Sequence, residues 1–226
     1  MKNLVKAVIV TTILVAMNLT LKAQVTFNTD WVMMDAHNDK YAVDAYEGVI
    51  GEPYLLSDWA KGTVRSGKAV LKDQMIKFDE VENRVLVRGE GGALKTFKTA
   101  ISSFTIADKS KDREFEAGFL KGANNDIYTF FEVLVPGRTK FLRRNVKVIS
   151  ANKEYSGKIV KNITSETKYF ISSPDQAPVN IKLDEKSILL VLADKKSDLI
   201  SYINANKLNL KKVDDVAKLI THYNSL

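Results

Sequence analysis

Between residues 52 and 182, short apolar runs recur about every 8–12 residues and are bounded by turn-prone residues. In many of them apolar and polar side chains alternate, as in a strand that buries one face of a sheet. Gly-containing segments such as residues 65–67 and 89–92 separate the runs in the way that hairpin turns do. About eight or more such runs predict an antiparallel β-sandwich or a barrel-like meander.

After residue 182 the apolar spacing changes to that of helices. Residues 187–193 predict a first helix or turn, and Ser197 predicts the cap of a second helix that carries Leu199 and Ile203. The last helix has one apolar stripe, made of Val213, Val216, Ala217, Ile220 and Tyr223. Because short helices are not stable alone, we expect them to pack on the sheet. The expected fold class is α+β, with two or three C-terminal helices.

Residues 1–23 have the layout of a secretory signal peptide. Two lysines precede an apolar stretch that is shorter than the roughly 20 residues needed to span a membrane. Ala23 offers a cleavage position that would leave Gln24 first, and an uncleaved N-terminal anchor is the alternative. We expect four segments: a signal peptide (1–23), an N-terminal lead-in (24–51), the β region (52–182) and a helical cap packed on it (183–226).

The charge and the lack of cysteine narrow the class of protein. Without cysteine the chain has no disulfide, no thiolate nucleophile and no Cys-bound metal. Removing residues 1–23 takes away three lysines and no acid, which leaves 31 basic residues against 27 acidic ones. This small surplus does not indicate a nucleic-acid partner. We therefore expect a periplasmic or secreted protein with no transmembrane span after Ala23 and no cofactor.

The string around His37 is the most metal-like part of the sequence. In an extended chain, Asp35, His37 and Asp39 face the same way, so two carboxylates and an imidazole could converge on a divalent ion. A solvated loop is the alternative, because a zinc site usually needs a further Cys or His. The other histidine, His222, is expected on the surface of the last helix.

Enzyme motifs are mostly missing from the chain. It contains no G-x-S-x-G, no H-E-x-x-H, no P-loop and no G-x-G-x-x-G. Both histidines lie near the chain ends, where a residue is poorly placed to serve as the buried general base of a Ser-His-Asp triad. Asp and Glu are plentiful, so a pair of carboxylates of the kind that cleaves glycosides stays open. A non-catalytic protein is favoured.

Two groups of side chains are candidates for binding. The rings of Tyr54 and Trp59 lie beside Pro and Gly, where they could stack on a sugar or close the core. Arg143 and Arg144 belong to a basic set around the turn at residues 136–137: Arg138, Lys140, Arg143, Arg144 and Lys147. This set could bind an anionic glycan, a lipid headgroup or an acidic partner. The alternative is that these charges only prevent the strand from pairing with other chains. The basic residues are divided between two faces of the strand, which favours this alternative.

Residues 51–64 (GEPYLLSDWAKGTV), the Lys-rich short β runs, and the ending with LISYI, NKL and YNSL resemble an uncharacterised set of exported β-rich proteins of Bacteroidota-type bacteria. The resemblance covers most of the chain after residue 23. It implies export from a Gram-negative cell and a β-then-helix order. It brings no activity and no site residue.

The function expected from the sequence is binding, through a β scaffold, of a ligand or partner protein in the cell envelope. One alternative is a small hydrolase of envelope polymers that uses paired carboxylates. A second alternative is a structural or assembly component that docks through its C-terminal helix. A cavity lined by binding groups, two close carboxylates or an exposed helix stripe would favour these three hypotheses respectively.

Overall fold

The computed structural model describes residues 33–35, 46–92, 94–109, 111–122, 126–153, 155 and 157–226. Twelve strands lie in this part of the chain: β1 (Met33–Asp35), β2 (Val49–Ile50), β3 (Ala60–Ser66), β4 (Ala69–Asp79), β5 (Arg84–Arg88), β6 (Leu94–Phe97), β7 (Ser103–Ile106), β8 (Arg113–Glu116), β9 (Phe131–Val135), β10 (Lys140–Lys153), β11 (Ile159–Ser172) and β12 (Val179–Ile181). Three α-helices follow: α1 (Glu185–Val191), α2 (Lys196–Asn206) and α3 (Val213–Tyr223).

The strands form one sheet with the order β1-β6-β5-β4-β3-β7-β8-β9-β10-β11-β12. Neighbours in this order are antiparallel, whereas β2 lies parallel to β11 at residues 161–162. Strands β3, β4, β5 and β6 pair in sequence order, each with the next. Strand β7 then pairs with the edge of β3 that faces away from β4. The expected α+β class, with an antiparallel meander before the C-terminal helices, is confirmed.

Aromatic rings fill the inside of a strong curl in the sheet. Phe78 of β4 contacts Phe104 of β7 and Phe115 of β8, with ring centroids 5.0 and 5.2 Å apart. Since β3 and β7 separate β4 from β8, the axes of β4 and β8 would lie about 14 Å apart in a flat sheet. The ring contacts therefore require curvature. Asn83, in the β4–β5 turn, closes the curl by accepting a hydrogen bond from the N–H of Phe130 at 3.0 Å.

Strand β4 differs from the sequence expectation. The apolar runs at residues 69–71 and 75–78 predict separate short strands, but the structure joins them into one strand of 11 residues. The join passes through Asp73, whose φ of 55° is left-handed, and the pairing of β3 with β4 shifts register between Gly62 and Val64. Gly62 is required there, because a Cβ would overlap the side chain of Ile76 and the carbonyl of Thr105.

The three helices cover one end of the sheet and share a core with it. Val216 and Ile220 of the predicted stripe of α3 are fully buried against residues such as Phe141 of β10 and Ile171 of β11. The amphipathic spacing therefore predicted two of the three buried residues of α3, and it did not include the third, Leu219. The buried face of α3 lies inside the chain's own core.

The structure confirms the predicted start of α3 but not the predicted cap of α2. Helix α3 begins at Val213, as its spacing predicts. The predicted cap at Ser197 is wrong, because Ser197 lies inside α2 and the helix starts without a side-chain cap. The side chain that caps a helix start is Asp184, which accepts a hydrogen bond from the N–H of Ser187 at 2.7 Å before α1.

Strands β10 and β11 form a hairpin of 14 residues per strand, paired in continuous register from Lys140↔Ser172 to Lys153↔Ile159. The apolar runs of the sequence predict strands there only at residues 140–149 and 168–171. No described residue of the outer part of this hairpin is buried, so it lacks the apolar-polar alternation that marks a strand with one face in the core.

No helix in the part of the chain that the structure describes is both long and apolar enough to cross a membrane.

Candidate functional site

A buried carboxylate between two arginines lies at the centre of the sheet. Glu132 of β9 is buried and accepts two hydrogen bonds from Arg113 of β8, at 2.9 and 2.8 Å. It accepts two more from Arg143 of β10, at 2.8 and 2.9 Å. Burial opposes the positive charge of Arg113, but the hydrogen bonds and charge of Glu132 outweigh it and raise the pKa of Arg113. Arg143, a predicted binding residue, is thus engaged inside the protein.

Lys147 lies four residues after Arg143 on the same face of β10, and its side chain is also engaged inside the protein. Its Nζ lies 2.9 Å from a carboxylate oxygen of buried Glu80 and donates to the carbonyls of Glu52 and Tyr54 at 2.9 and 2.8 Å. Asn145, between Arg143 and Lys147 on this face, donates to Glu80 at 3.1 Å. This row of β10 side chains fastens the β4–β5 turn onto the sheet.

The other predicted basic residues lie on the opposite face of β10, because neighbouring residues of a strand alternate. Burial lowers the pKa of Arg144, and the charge of Asp126 offsets only part of this shift. Lys140 forms an ion pair with Glu116 of β8. The basic set is therefore divided between two faces, and it does not form a single anion site.

Tyr54 and Trp59 come together around Lys77 of β4. The Nζ of Lys77 lies 4.5 Å from the ring centroid of Tyr54 and 5.7 Å from that of Trp59. Leu86 and Leu94 pack against both rings. The two rings thus already hold a cation and cover apolar side chains, which is the geometry of core closure.

The predicted metal residues lie at the edge of the described chain. Asp35 ends β1, and its backbone pairs with Lys95 of β6. His37 and Asp39 lie outside the described residues, so this metal site stays a prediction. Among the residues that are described, no three His, Cys, Asp or Glu side chains are grouped as metal ligands. His222 stacks on Tyr202, with ring centroids 3.8 Å apart.

Two adjoining cavities, of about 510 and 250 Å³, lie beside the β9–β10 turn. Arg138 and residues 173–176 of the β11–β12 loop border both, and we call the pair the Arg138 cleft. The larger cavity is completed by Thr139 and by residues around the helix ends: Val191, Asp194, Lys195, Tyr223, Asn224 and Leu226. The smaller one extends over Gly118, Phe119, Leu120, Lys140 and Ser172. The cleft therefore lies where the sheet, the β11–β12 loop and the helical cap meet.

The turn that carries Arg138 is held from the C-terminal side. Asn224, directly after α3, accepts a hydrogen bond from the N–H of Thr139 at 3.0 Å and donates to its carbonyl at 2.8 Å. Gly137 allows this approach, because its φ is 137° and a Cβ would lie 2.5 Å from Nδ2 of Asn224. Arg138 is thus mounted on a backbone whose position is fixed.

Tyr223 forms a second tie in the wall of the cleft. Its O–H lies 3.0 and 3.1 Å from the two carboxylate oxygens of Asp194. Burial first, and then the hydrogen bond and charge of Asp194, raise the pKa of Tyr223, while the charge of Arg138 opposes the shift. Tyr223 therefore keeps its proton at neutral pH and continues to donate to Asp194.

The groups that line the cleft fit a polar ligand with an acidic group. Arg138 is exposed and forms no ion pair with the residues that the structure describes. Ser173, Asp175 and Gln176 add hydrogen-bonding groups, and the half-buried ring of Phe119 adds an apolar wall. A guanidinium binds a carboxylate through two parallel hydrogen bonds, which gives orientation as well as affinity.

Sequence reasoning found only part of this cleft. It singled out Arg138 and Lys140 because they flank the turn at residues 136–137. It placed Tyr223 only in the apolar stripe of the last helix, and it gave Asn224 and residues 173–176 no role in a site. Contacts between residues 85 positions apart leave no local pattern in a single sequence.

No protein-family model matches the chain, and no curated protein and no solved structure is significantly similar to it.

Proposed function

We propose that this chain is an exported, non-catalytic protein of the cell envelope that binds an acidic oligosaccharide in the Arg138 cleft. The observation that carries the proposal is the exposed guanidinium of Arg138, mounted on a fixed turn at the junction of two cavities. The larger cavity, about 510 Å³, lies within the 300–1,000 Å³ range of ligand sites.

An acidic sugar uses each kind of group in the cleft. Its carboxylate pairs with Arg138. Its hydroxyls bond to Ser173 and Gln176, which can donate or accept, and to Asp175, which accepts. The apolar face of a sugar ring packs on Phe119. A purely apolar ligand would leave these polar groups unpaired, at a cost in affinity.

The hydrolase alternative has less support. Among the described residues, the three buried carboxylates are Asp79, Glu80 and Glu132, and each already accepts hydrogen bonds. An acid and base pair needs a carboxylate that can exchange a proton with substrate. The carboxylate of Glu132 takes four hydrogen bonds from two arginines and is enclosed by them, so it has no room to contact a substrate.

Docking through the apolar stripe of α3 also has less support, since Val216, Leu219 and Ile220 are used inside the chain. The cleft is therefore preferred over the helix as the binding surface.

Calorimetric titration with trigalacturonate, compared with neutral maltotriose, tests the proposal. We expect binding of trigalacturonate only, and a loss of about tenfold to a hundredfold in affinity for Arg138→Ala. Arg88→Ala is the matched control, because Arg88 is exposed on β5 and lies outside the cleft. Equal binding of the two sugars, no binding of either, or equal affinity of Arg138→Ala and wild type would refute the ligand class.

Export is tested separately by expressing the full chain in a Gram-negative host. We expect the product in the periplasm or medium, with Gln24 as its first residue by mass spectrometry. Cytosolic product that retains residues 1–23 would contradict export without bearing on the cleft.

A further inference from the structure

The outer half of the β10–β11 hairpin is an exposed arm that carries apolar side chains. We define the β-arm as residues 148–153 of β10 and 159–164 of β11. Ile149 is 40% exposed and Ile159 is 65% exposed, whereas Phe141 and Leu142, at the inner end of β10, are fully buried. Among the described residues, β2 is the strand outside the β-arm that pairs with it, at residues 161–162. Exposed apolar groups clustered in this way mark an interaction surface.

One face of the β-arm combines isoleucines with lysines. Ile149 pairs with Ile163, and Ile159 pairs with Lys153, while Lys161 lies between them opposite Ala151. Side chains at alternate positions share a face, so these residues form a single amphipathic surface. Tyr155, in the turn that joins the two strands, is fully exposed.

The charge of the β-arm is positive. Its described strands carry Lys153 and Lys161 and no acid, and Lys158 precedes β11 and is exposed. The sequence of the turn adds one acid, Glu154, which lies outside the described residues. A second copy of the β-arm would bring lysines against lysines, so a symmetric pairing of two arms is disfavoured.

We propose that the β-arm binds the surface of an anionic lipid bilayer. The isoleucines and Tyr155 enter the interface, and the lysines extend their ammonium groups to the anionic headgroups. Each lysine near such a surface contributes about a fivefold gain in binding. The Arg138 cleft is a separate surface, so this inference does not depend on the proposed sugar ligand.

Vesicle co-sedimentation of the full chain tests the proposal. The probes are phosphatidylcholine vesicles with and without phosphatidylglycerol. We expect binding to the anionic vesicles that weakens as salt is raised. The double variant Lys153→Gln/Lys161→Gln should bind the anionic vesicles about tenfold or more weakly than wild type, and Ile159→Asn should also bind more weakly.

The matched controls are Lys196→Gln/Lys211→Gln and Leu190→Asn, which change exposed residues of the helical cap. We expect both to bind like wild type. Because all of these variants keep residues 1–23, any binding by that segment is the same in each and does not explain a loss in the arm variants. Equal binding of the arm variants and wild type would overturn the proposal. So would equal binding to neutral and anionic vesicles, or a wild-type dimer that Ile159→Asn dissociates, measured by light scattering.

Discussion

The side chain of Asn224 bonds to both backbone polar groups of Thr139, a residue 85 positions earlier in the chain. Thr139 is 3% exposed, so water has little access to these groups if Asn224 is lost. This contact joins the end of α3 to the β9–β10 turn. It therefore couples the stability of the helical cap to the position of Arg138.

Replacing Asn224 by Ala should lower the free energy of unfolding by about 2 kcal/mol, because it leaves a buried N–H and a buried carbonyl without partners. Urea denaturation followed by circular dichroism measures the change. Asn204→Ala, at an exposed position of α2, is the control and should change stability by less than about 1 kcal/mol. An unchanged midpoint for Asn224→Ala would mean that this contact does not hold the turn.

Replacing Glu132 by Gln should destabilise the fold by about 3 kcal/mol, because two partly buried arginines then face each other without the negative charge between them. The same denaturation experiment applies. Glu166→Gln is the control: Glu166 is 70% exposed, and its ion pair with Lys168 is worth less than about 1 kcal/mol. Similar losses for the two variants would contradict a structural role for Glu132.

The free energy of unfolding should fall at alkaline pH because of Tyr46. Its O–H donates to the buried carboxylate of Asp79, with oxygen distances of 2.8 and 2.7 Å. Burial, and then this hydrogen bond and the charge of Asp79, raise the pKa of Tyr46 well above its ordinary value of 10.0. Above pH 10 the unfolded chain loses the tyrosine proton and the folded chain keeps it, so the stability that Tyr46 contributes declines as the pH rises further.

Tyr46→Phe removes this titration. The stability difference between wild type and Tyr46→Phe should therefore be largest near about pH 8 and should narrow by about pH 11, as measured by urea unfolding. Tyr128→Phe, at a tyrosine that is 59% exposed, is the control for removing a phenol hydroxyl. A difference for Tyr46→Phe that stays constant or widens would contradict the assignment.

Replacing Ile220 by Asp should prevent folding. Ile220 is fully buried between α3 and the sheet, and a carboxylate there would cost more than about 4 kcal/mol. We expect no cooperative thermal transition for this variant. Leu190→Asp, at a position of α1 that is 77% exposed, should unfold like wild type. A normally folded Ile220→Asp protein would reopen the possibility that α3 docks a partner.

Features that depend on local spacing were predictable from the sequence. The stripe of α3 repeats every three or four residues, and the burial of Val216 and Ile220 follows from that repeat. The length of β10 and β11 was not predictable, because the exposed β-arm lacks a core face that would impose alternation. The cap at Ser197 was wrong because a Ser before an apolar run is also compatible with a position inside a helix.

The candidate site was predictable only in its basic residues. Arg143 and Arg144 are candidates because they belong to the basic set around the turn at residues 136–137, yet adjacent residues of a strand face opposite ways. Arg138 gains its role from Asn224 and from the β11–β12 loop, which reach it through the tertiary fold. Sequence spacing carries no information about such contacts.

The open strand order has a consequence for behaviour in a crowded compartment. The two ends of the sheet are β1 and β12, which are described as strands of only three residues each. An incoming chain that tried to extend either edge would gain few backbone hydrogen bonds, whereas long flat edges are the ones that template fibres. These two ends are therefore poor templates for a growing polymer.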